Sequence, residues 1–161
     1  MPNSSSTPAI HGHHVQHAST LATGNDLISA PLAAEIEGER LTDIELLGFC
    51  ILLLIAGNET TTNLIGNAIL CFDEHPEVYD QLRDAPELLP SAIEEALRYR
   101  SPVQAMFCIG APLARLEARI ALSAMLNRLR DIRRVPETQL EPLRSFIVYG
   151  VRHLPITFQP A

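Results

Sequence analysis

From Thr42 to about Leu70 the chain reads as one long helix whose middle is apolar on every face. Thr42 and Glu45 form the Thr-x-x-Glu capping box that opens it. The run from Leu46 to Ala56 then carries no charge at all. A helix that is apolar all round has to be covered all round, so this segment demands neighbouring elements on several sides. The apolar run is shorter than the ~20 residues that span a bilayer, and it reads as the buried core of a mainly α fold rather than as a membrane segment.

The rest of the composition is compatible with such a core. The chain has 161 residues, the size of one ordinary domain, and 47% of them are hydrophobic. The charged fraction of 19% is below the usual ~25%, as expected of surface that is meant to be covered. Nineteen acidic residues against twelve basic ones give a net charge of −7, which argues against general nucleic-acid binding. All twelve basic residues are Arg. Three scattered cysteines, Cys50, Cys71 and Cys108, make neither a disulfide framework nor a CxxC knuckle. That pattern fits a reducing compartment, and with no secretory signal visible the expected location is the cytoplasm, away from membranes.

Residues 1–24 are rich in Ser, Thr, Gly and His and read as a disordered leader, with His11, His13, His14 and His17 in a tract of no fixed geometry. Residues 25–161 read as a single domain. A helical pattern from Asp26 to Glu37 should break at Pro31. Pro76 starts a short helix to about Arg83, and Pro90 sits in the first turn of another to about Arg100, which Ser101-Pro102 stops. A helix-period stripe runs from Pro112 to Leu129 and ends among Arg128, Arg130, Arg133 and Arg134. These arginines read as cations complementing a helix C-terminus; a docking patch for an acidic electron donor is the alternative. Phe146–Tyr149 and Ile156–Phe158 are β-prone and, separated by Gly150 and Pro155, predict a small C-terminal β hairpin.

Three segments carry chemistry. Cys108 lies one short loop before the Pro112 helix, with Gly110 to turn the backbone, so the helix start would favour the metal-binding thiolate. Taken alone, a small buried Cys is the simpler reading. Inside the long helix, Ala56-Gly57-Asn58-Glu59-Thr60-Thr61-Thr62 breaks local propensity rules, Gly alone costing ~1 kcal/mol. A Thr hydroxyl there can bond the carbonyl one turn back and bend the helix, opening a groove beside Gly57. The alternative is close helix packing at Ala56 and Gly57. In the later helix Glu95 and Arg98 stand three residues apart and can pair.

Cys108-x-Gly110-x-x-Leu113-Ala114-Arg115-x-Glu117 resembles the proximal haem loop and following helix of the cytochrome P450 family. Ala56-Gly57-x-Glu59-Thr60 resembles that family's oxygen-groove helix, Glu95-x-x-Arg98 its brace helix, and the three occur in the family's order. The resemblance runs from near Asn25 to the C-terminus. It implies a partial fold of the family, soluble and of bacterial type, with haem b held through the Cys108 thiolate. Ile109, Gly110 and Ala114 would contact the cofactor beside that ligand, and Ala56 and Gly57 across it. Thr60 and Glu59 would deliver protons, and Glu95 with Arg98 would form a structural brace. The implied activity is a haem-dependent monooxygenase acting on a small organic substrate. Its electrons would come from NAD(P)H only indirectly, through a ferredoxin or flavodoxin-type donor, since the chain shows no Gly-rich nucleotide-binding signature.

The sequence also departs from the family. Seven, six, four and two residues before the Cys the family has Phe, Gly, Gly and His or Arg; here stand Ser101, Pro102, Gln104 and Met106. A missing segment is therefore inferred between about 102 and 108, and with it go the basic partner of a haem propionate and the third member of the brace. The family's N-terminal portion, which roofs the substrate cavity, has no counterpart either. If Ile51 to Ile55 lose their cover at ~2 kcal/mol each, the deficit of ~10 kcal/mol equals a whole domain's stability. The expected consequence is a marginal monomer that self-associates through an exposed apolar patch. An incomplete monooxygenase is the reading reached here. The alternative is a non-catalytic helical remnant or binding module that does not hold haem.

Overall fold

The computed structural model describes residues 24, 26–36, 38–104 and 106–161. The leader reading and the His11 to His17 tract therefore lie outside the described residues, apart from Gly24. The chain divides into two compact units, Met1–Leu54 and Ile55–Ala161, and the division falls inside its longest helix.

In the first unit, helix α1 (Ser29–Ala33) is opened by Asp26, whose carboxylate accepts from the amides of Ile28 and Ser29 at 2.9 and 2.8 Å. Pro31 does not break this helix. It lies in the first turn, where amides have no intrahelical acceptor to lose. The helical pattern expected as far as Glu37 instead gives way to strands β1 (Glu35–Ile36) and β2 (Glu39–Arg40), an antiparallel pair turned at Gly38, whose φ of +86° suits glycine. Helix α2 (Asp43–Glu74) follows, four residues longer than its apolar pattern predicts at the C-terminal end. Its capping box is complete: Glu45 accepts from the Thr42 amide and hydroxyl at 2.9 and 2.8 Å, and the Glu45 amide donates to the Thr42 hydroxyl at 3.3 Å.

The expectation of a buried apolar run fails here. Ile44, Leu47, Leu52 and Leu54 are each 60–83% exposed, because the described residues supply nothing to cover them. By length and composition α2 as a whole is apolar enough to cross a membrane, although its apolar run alone is not; core helices of soluble proteins pass the same test.

The second unit contains the core. The C-terminal part of α2 is followed by α3 (Glu77–Asp84), a 3-10 turn (Pro86–Leu88), α4 (Leu89–Tyr99) and α5 (Ala111–Arg128), with Pro90 and Pro112 in first turns as the sequence implies. Leu64, Ala68 and Phe72 of α2, Ile93 and Ala96 of α4, and Ala118, Leu122 and Leu126 of α5 recur at helical spacing and form one cluster. Strands β3 (Leu129–Arg134) and β4 (Ile156–Pro160) pair antiparallel, and Ile132 closes the cluster at 1% exposure.

A small antiparallel strand pair is thus present, but Phe146–Tyr149 is not its other strand. The Tyr149 amide donates to the Pro102 carbonyl at 2.9 Å and the Gln104 amide to the Ile147 carbonyl at 3.0 Å, so this segment closes on the connector after α4. The arginine-rich stretch is likewise mostly strand rather than helix end. Arg128, in the last turn of α5, and Arg130, donating to the Leu126 carbonyl at 2.8 Å, act as the sequence reading expects.

Among the described residues of this unit two polar side chains are buried, Asn63 and, deepest, Asn67. Asn67 is 1% exposed, and its amide nitrogen donates to the carbonyls of Arg100 at 2.9 Å and Tyr149 at 3.2 Å. Beside it Gly150 lies so close to Asn63 that a Cβ would fall 2.0 Å from Oδ1. Asn67→Ala leaves two carbonyls without a donor and is expected to lower stability by roughly 2–4 kcal/mol in urea unfolding. An acid dependence follows from the helix caps. Backbone and hydroxyl hydrogen bonds hold Asp26 below its ordinary 3.8 and Glu45 below its ordinary 4.5. A carboxyl lowered by folding contributes stability that is complete above its unfolded value and disappears as pH falls through the folded one. Helix content followed by circular dichroism is therefore expected to fall below about pH 4, and less steeply in Glu45→Gln.

Candidate functional site

The chemistry-bearing segments of the second unit meet at a cleft of about 660 Å³, within the roughly 300–1,000 Å³ usual for small-molecule sites. Thr60 and Leu64 of α2 form one wall. Leu97 and Arg98 of α4 form another, and Pro102 and Val103 of the following connector continue it. Met106, Cys108 and Ile109 approach from the loop before α5, and Ala114 and Arg115 from the helix itself. The walls are mainly apolar, with the hydroxyls of Thr60 and Ser101, the Cys108 thiol, the Glu94 carboxylate and two guanidinium groups among them.

Cys108 is exposed rather than buried, which removes the inert-core reading of its thiol. Its neighbours Phe107 and Ile109 are 99% and 97% exposed, so the loop packs little of its own apolar surface. The turn into α5 is closed by the Ala111 amide on the Cys108 carbonyl at 3.2 Å and the Ala114 amide on the Gly110 carbonyl at 3.0 Å. Gly110 has an ordinary φ of −80°, and a Cβ there would stand 3.7 Å from the Cys108 sulfur. That is an ordinary contact distance, so neither the sulfur nor the turn requires glycine at this position.

On the opposite wall the Thr60 hydroxyl donates to the Ala56 carbonyl at 2.7 Å, and Thr62 repeats the contact to Asn58 at 2.8 Å. The helix continues as α through this stretch. Nothing lies within 4 Å of a Cβ placed on Gly57, which disposes of close packing there. Ala56, Gly57 and Glu59 are exposed and are not among the residues lining the cleft, nor are Gly110 and Glu95.

Glu95 and Arg98 do pair, in a fork of 2.6 and 2.8 Å, and the hydrogen bond holds the Glu95 carboxyl below its ordinary 4.5. The pair is not internal: both side chains are mostly exposed, and surface pairs of this kind are worth at most about 1 kcal/mol. Glu94 and Arg115 form a second fork at 2.5 and 3.1 Å, tying α4 to the helix that follows the thiol. Sequence reading misses this pair because its partners are far apart in the chain, where helical spacing gives no signal. Asn67 and Gly150, which fix the end of α4 against α2, are missed for the same reason.

Haem would ask three things of such a cleft: a soft ligand for iron, apolar walls for the macrocycle, and cations for two carboxylates. Cys108 meets the first, and Leu64, Leu97, Pro102 and Val103 the second. The third is met poorly, because Arg98 and Arg115 are each forked onto a glutamate of α4. Met106 stands where a basic residue was expected. The residues fit the iron and the macrocycle.

A sequence model of the family "Cytochrome P450" matches residues 8–107. The match starts inside the stretch that composition reads as a leader, which moves the start of the likeness from Asn25 to residue 8. Cytochrome P450 109 of Bacillus spizizenii is 37% identical over 190 residues, 81% of this chain and 47% of that protein. Erythromycin C-12 hydroxylase of Saccharopolyspora erythraea is 32% identical over 83% of this chain and 49% of its own length. The structure of substrate-free CYP109E1 from Bacillus megaterium superimposes with a TM-score of 0.80 at 36% identity, covering 91% of this chain and 54% of that one. The chain spans about half the length of the curated relatives it matches. With the family model matching well over half of the sequence and the mainly helical fold matching as well, the chain belongs to the cytochrome P450 family.

Proposed function

We propose that the cleft is a haem-thiolate site and that the activity it serves is monooxygenation of a small organic substrate. The observation that carries this reading is the meeting of Thr60 and Cys108 on one cleft from distant parts of the sequence. Haem b, when bound, supplies oxygen activation and the insertion of one oxygen atom into the substrate. The chain supplies the rest. Cys108 holds the iron as thiolate, with Ile109, Gly110 and Ala114 beside it. Because Thr60 gives its proton to the Ala56 carbonyl, its oxygen is available to the cleft as an acceptor, suited to relay a proton. Glu59, one residue away and exposed to solvent, is placed to replenish that proton, and the open face at Ala56 and Gly57 leaves room beside the relay. Glu95 and Arg98 stiffen the wall of the cleft. Electrons come from NAD(P)H through a ferredoxin or flavodoxin-type donor. The protein works in the cytoplasm, free of membranes and nucleic acid.

The proposal includes a missing segment between about residues 102 and 108. It is supported by the comparison with the Bacillus relative: 81% of 161 residues is far fewer than the 190 positions aligned, so the relative carries residues inside the matched span that this chain lacks. The family match also stops at residue 107, next to the thiol. A second reading, a helical remnant or binding module without haem, draws support from the exposed Glu95–Arg98 pair and the solvent-facing Phe107 and Ile109.

Reconstitution with haemin separates the two. Reduction under carbon monoxide is expected to give a strongly red-shifted thiolate-type Soret band that disappears in Cys108→Ala; no haem uptake by the wild type favours the remnant. The exposed apolar side chains of α2 lead us to infer self-association as well. Sedimentation velocity is expected to show mass rising with protein concentration, and a shift back toward monomer in the double variant Leu47→Lys with Leu54→Lys.

A further inference from the structure

A second hollow, which Cys108 does not line, lies where the end of α2 meets α3 and α4. Its volume is about 290 Å³. Small side chains make the floor: Ala92 and Ala96 stand one turn apart on α4, and Ala96 is 2% exposed. Phe72 and Val78 add an apolar wall. The Phe72 ring is 4% exposed and Tyr79 holds it edge-on, with ring centroids 5.7 Å apart, so this wall is fixed before anything enters. An apolar cavity of roughly 150 Å³ already takes up benzene, so this one has room for a molecule of one or two rings.

The polar groups around the floor decide what kind of molecule fits. Glu95 and Arg98 are the formally charged residues that line the hollow, and they are forked onto each other at 2.6 and 2.8 Å. An entering ion would give up hydration and find no unpaired opposite charge, whereas an uncharged molecule loses little. The Cys71 thiol is half-buried, and burial pushes its pKa up, so it too stays neutral. Tyr99 carries the Arg100 guanidinium 5.7 Å from its ring centroid, yet it is still 62% exposed, which leaves ring surface open to the hollow. Contacts with the rings of Phe72 and Tyr99 favour an aromatic occupant over an aliphatic one of equal area. The Tyr99 hydroxyl, the Cys71 thiol and the His75 imidazole, whose Nδ1 has Glu77 no nearer than 3.7 Å, can meet a polar edge.

We propose that this hollow is a second small-molecule site, taking one uncharged aromatic molecule with a single polar edge, of the size of phenol or indole. The inference does not rest on the haem reading, although Arg98 lines both cavities.

Indole is the probe. In the full chain carrying Cys50→Ser and Cys108→Ser, the rate at which Cys71 reacts with iodoacetamide is expected to fall as indole is added and then to level off. The chain has no Trp, so the emission of indole itself can be followed, and it is expected to shift to the blue over the same range. Benzoate, a charged ring, is expected to give no protection. Both indole effects are expected to be lost in Ala92→Phe, which fills the floor, and to weaken in Tyr99→Ala. The second variant changes an exposed side chain and decides the matter if the first does not fold. A companion chain with Cys50→Ser and Cys71→Ser reports on the other cleft through Cys108. Protection of Cys108 without protection of Cys71, equal protection by benzoate, or undiminished indole effects in Tyr99→Ala overturns the proposal.

Discussion

The arrangement of the second unit depends on a single carboxamide. Asn67 sits on a helix face that is otherwise lined with Leu64, Ala68 and Phe72, and burying an amide there is unfavourable unless its hydrogen bonds are made. They are made to the last carbonyl of α4's cap and to a carbonyl 82 residues further along the chain. The side chain thereby fixes where the connector toward Cys108 departs and which segment flanks it. Gly150 completes the arrangement by admitting Asn63 to a distance that no Cβ would tolerate. The cleft inherits its Pro102–Val103 wall from these contacts.

Around the cleft, charge is balanced locally rather than aimed inward. Both guanidinium groups that line it are forked onto glutamates of α4, Arg98 onto Glu95 and Arg115 onto Glu94, so neither positive charge is left unbalanced. Such a cleft suits an apolar occupant with one soft metal ligand better than it suits that occupant's carboxylates. The same pairing joins α4 to α5, so drawing Arg115 toward a ligand would loosen the helix that presents the thiol. Each glutamate–arginine pair is weak by itself, being largely exposed. Together they act more as guides of orientation than as sources of stability.

Much of the helical plan was legible in the sequence because its signals are local. A capping box, prolines in first turns and apolar residues at helical spacing each specify an element from within a few residues, and α2 to α5 follow them. The failures share the opposite property. Pro31 is harmless only because of where α1 begins, and the strand partner of Ile156–Pro160 lies across the long connection of residues 135–155. The Leu46–Ala56 run reads as core in isolation, yet burial belongs to neighbours and not to composition. At the site, Cys108 and Thr60 were found through motif order, whereas Glu94–Arg115 and the Asn67 bracket have no signature shorter than the distance between their partners.

The link from Asn67 to Tyr149, together with β3 pairing against β4, has a consequence for how this core comes into being. The helices from Leu64 to Leu126 bring their apolar faces together, but the layer that closes them and satisfies Asn67 arrives only with residues 129–160. Until that stretch is available the amide has no home and the faces have an open side. Closure is therefore a late, long-loop event that local helix formation cannot hasten. During synthesis the nascent helices must wait, partly assembled, for residues 129–160.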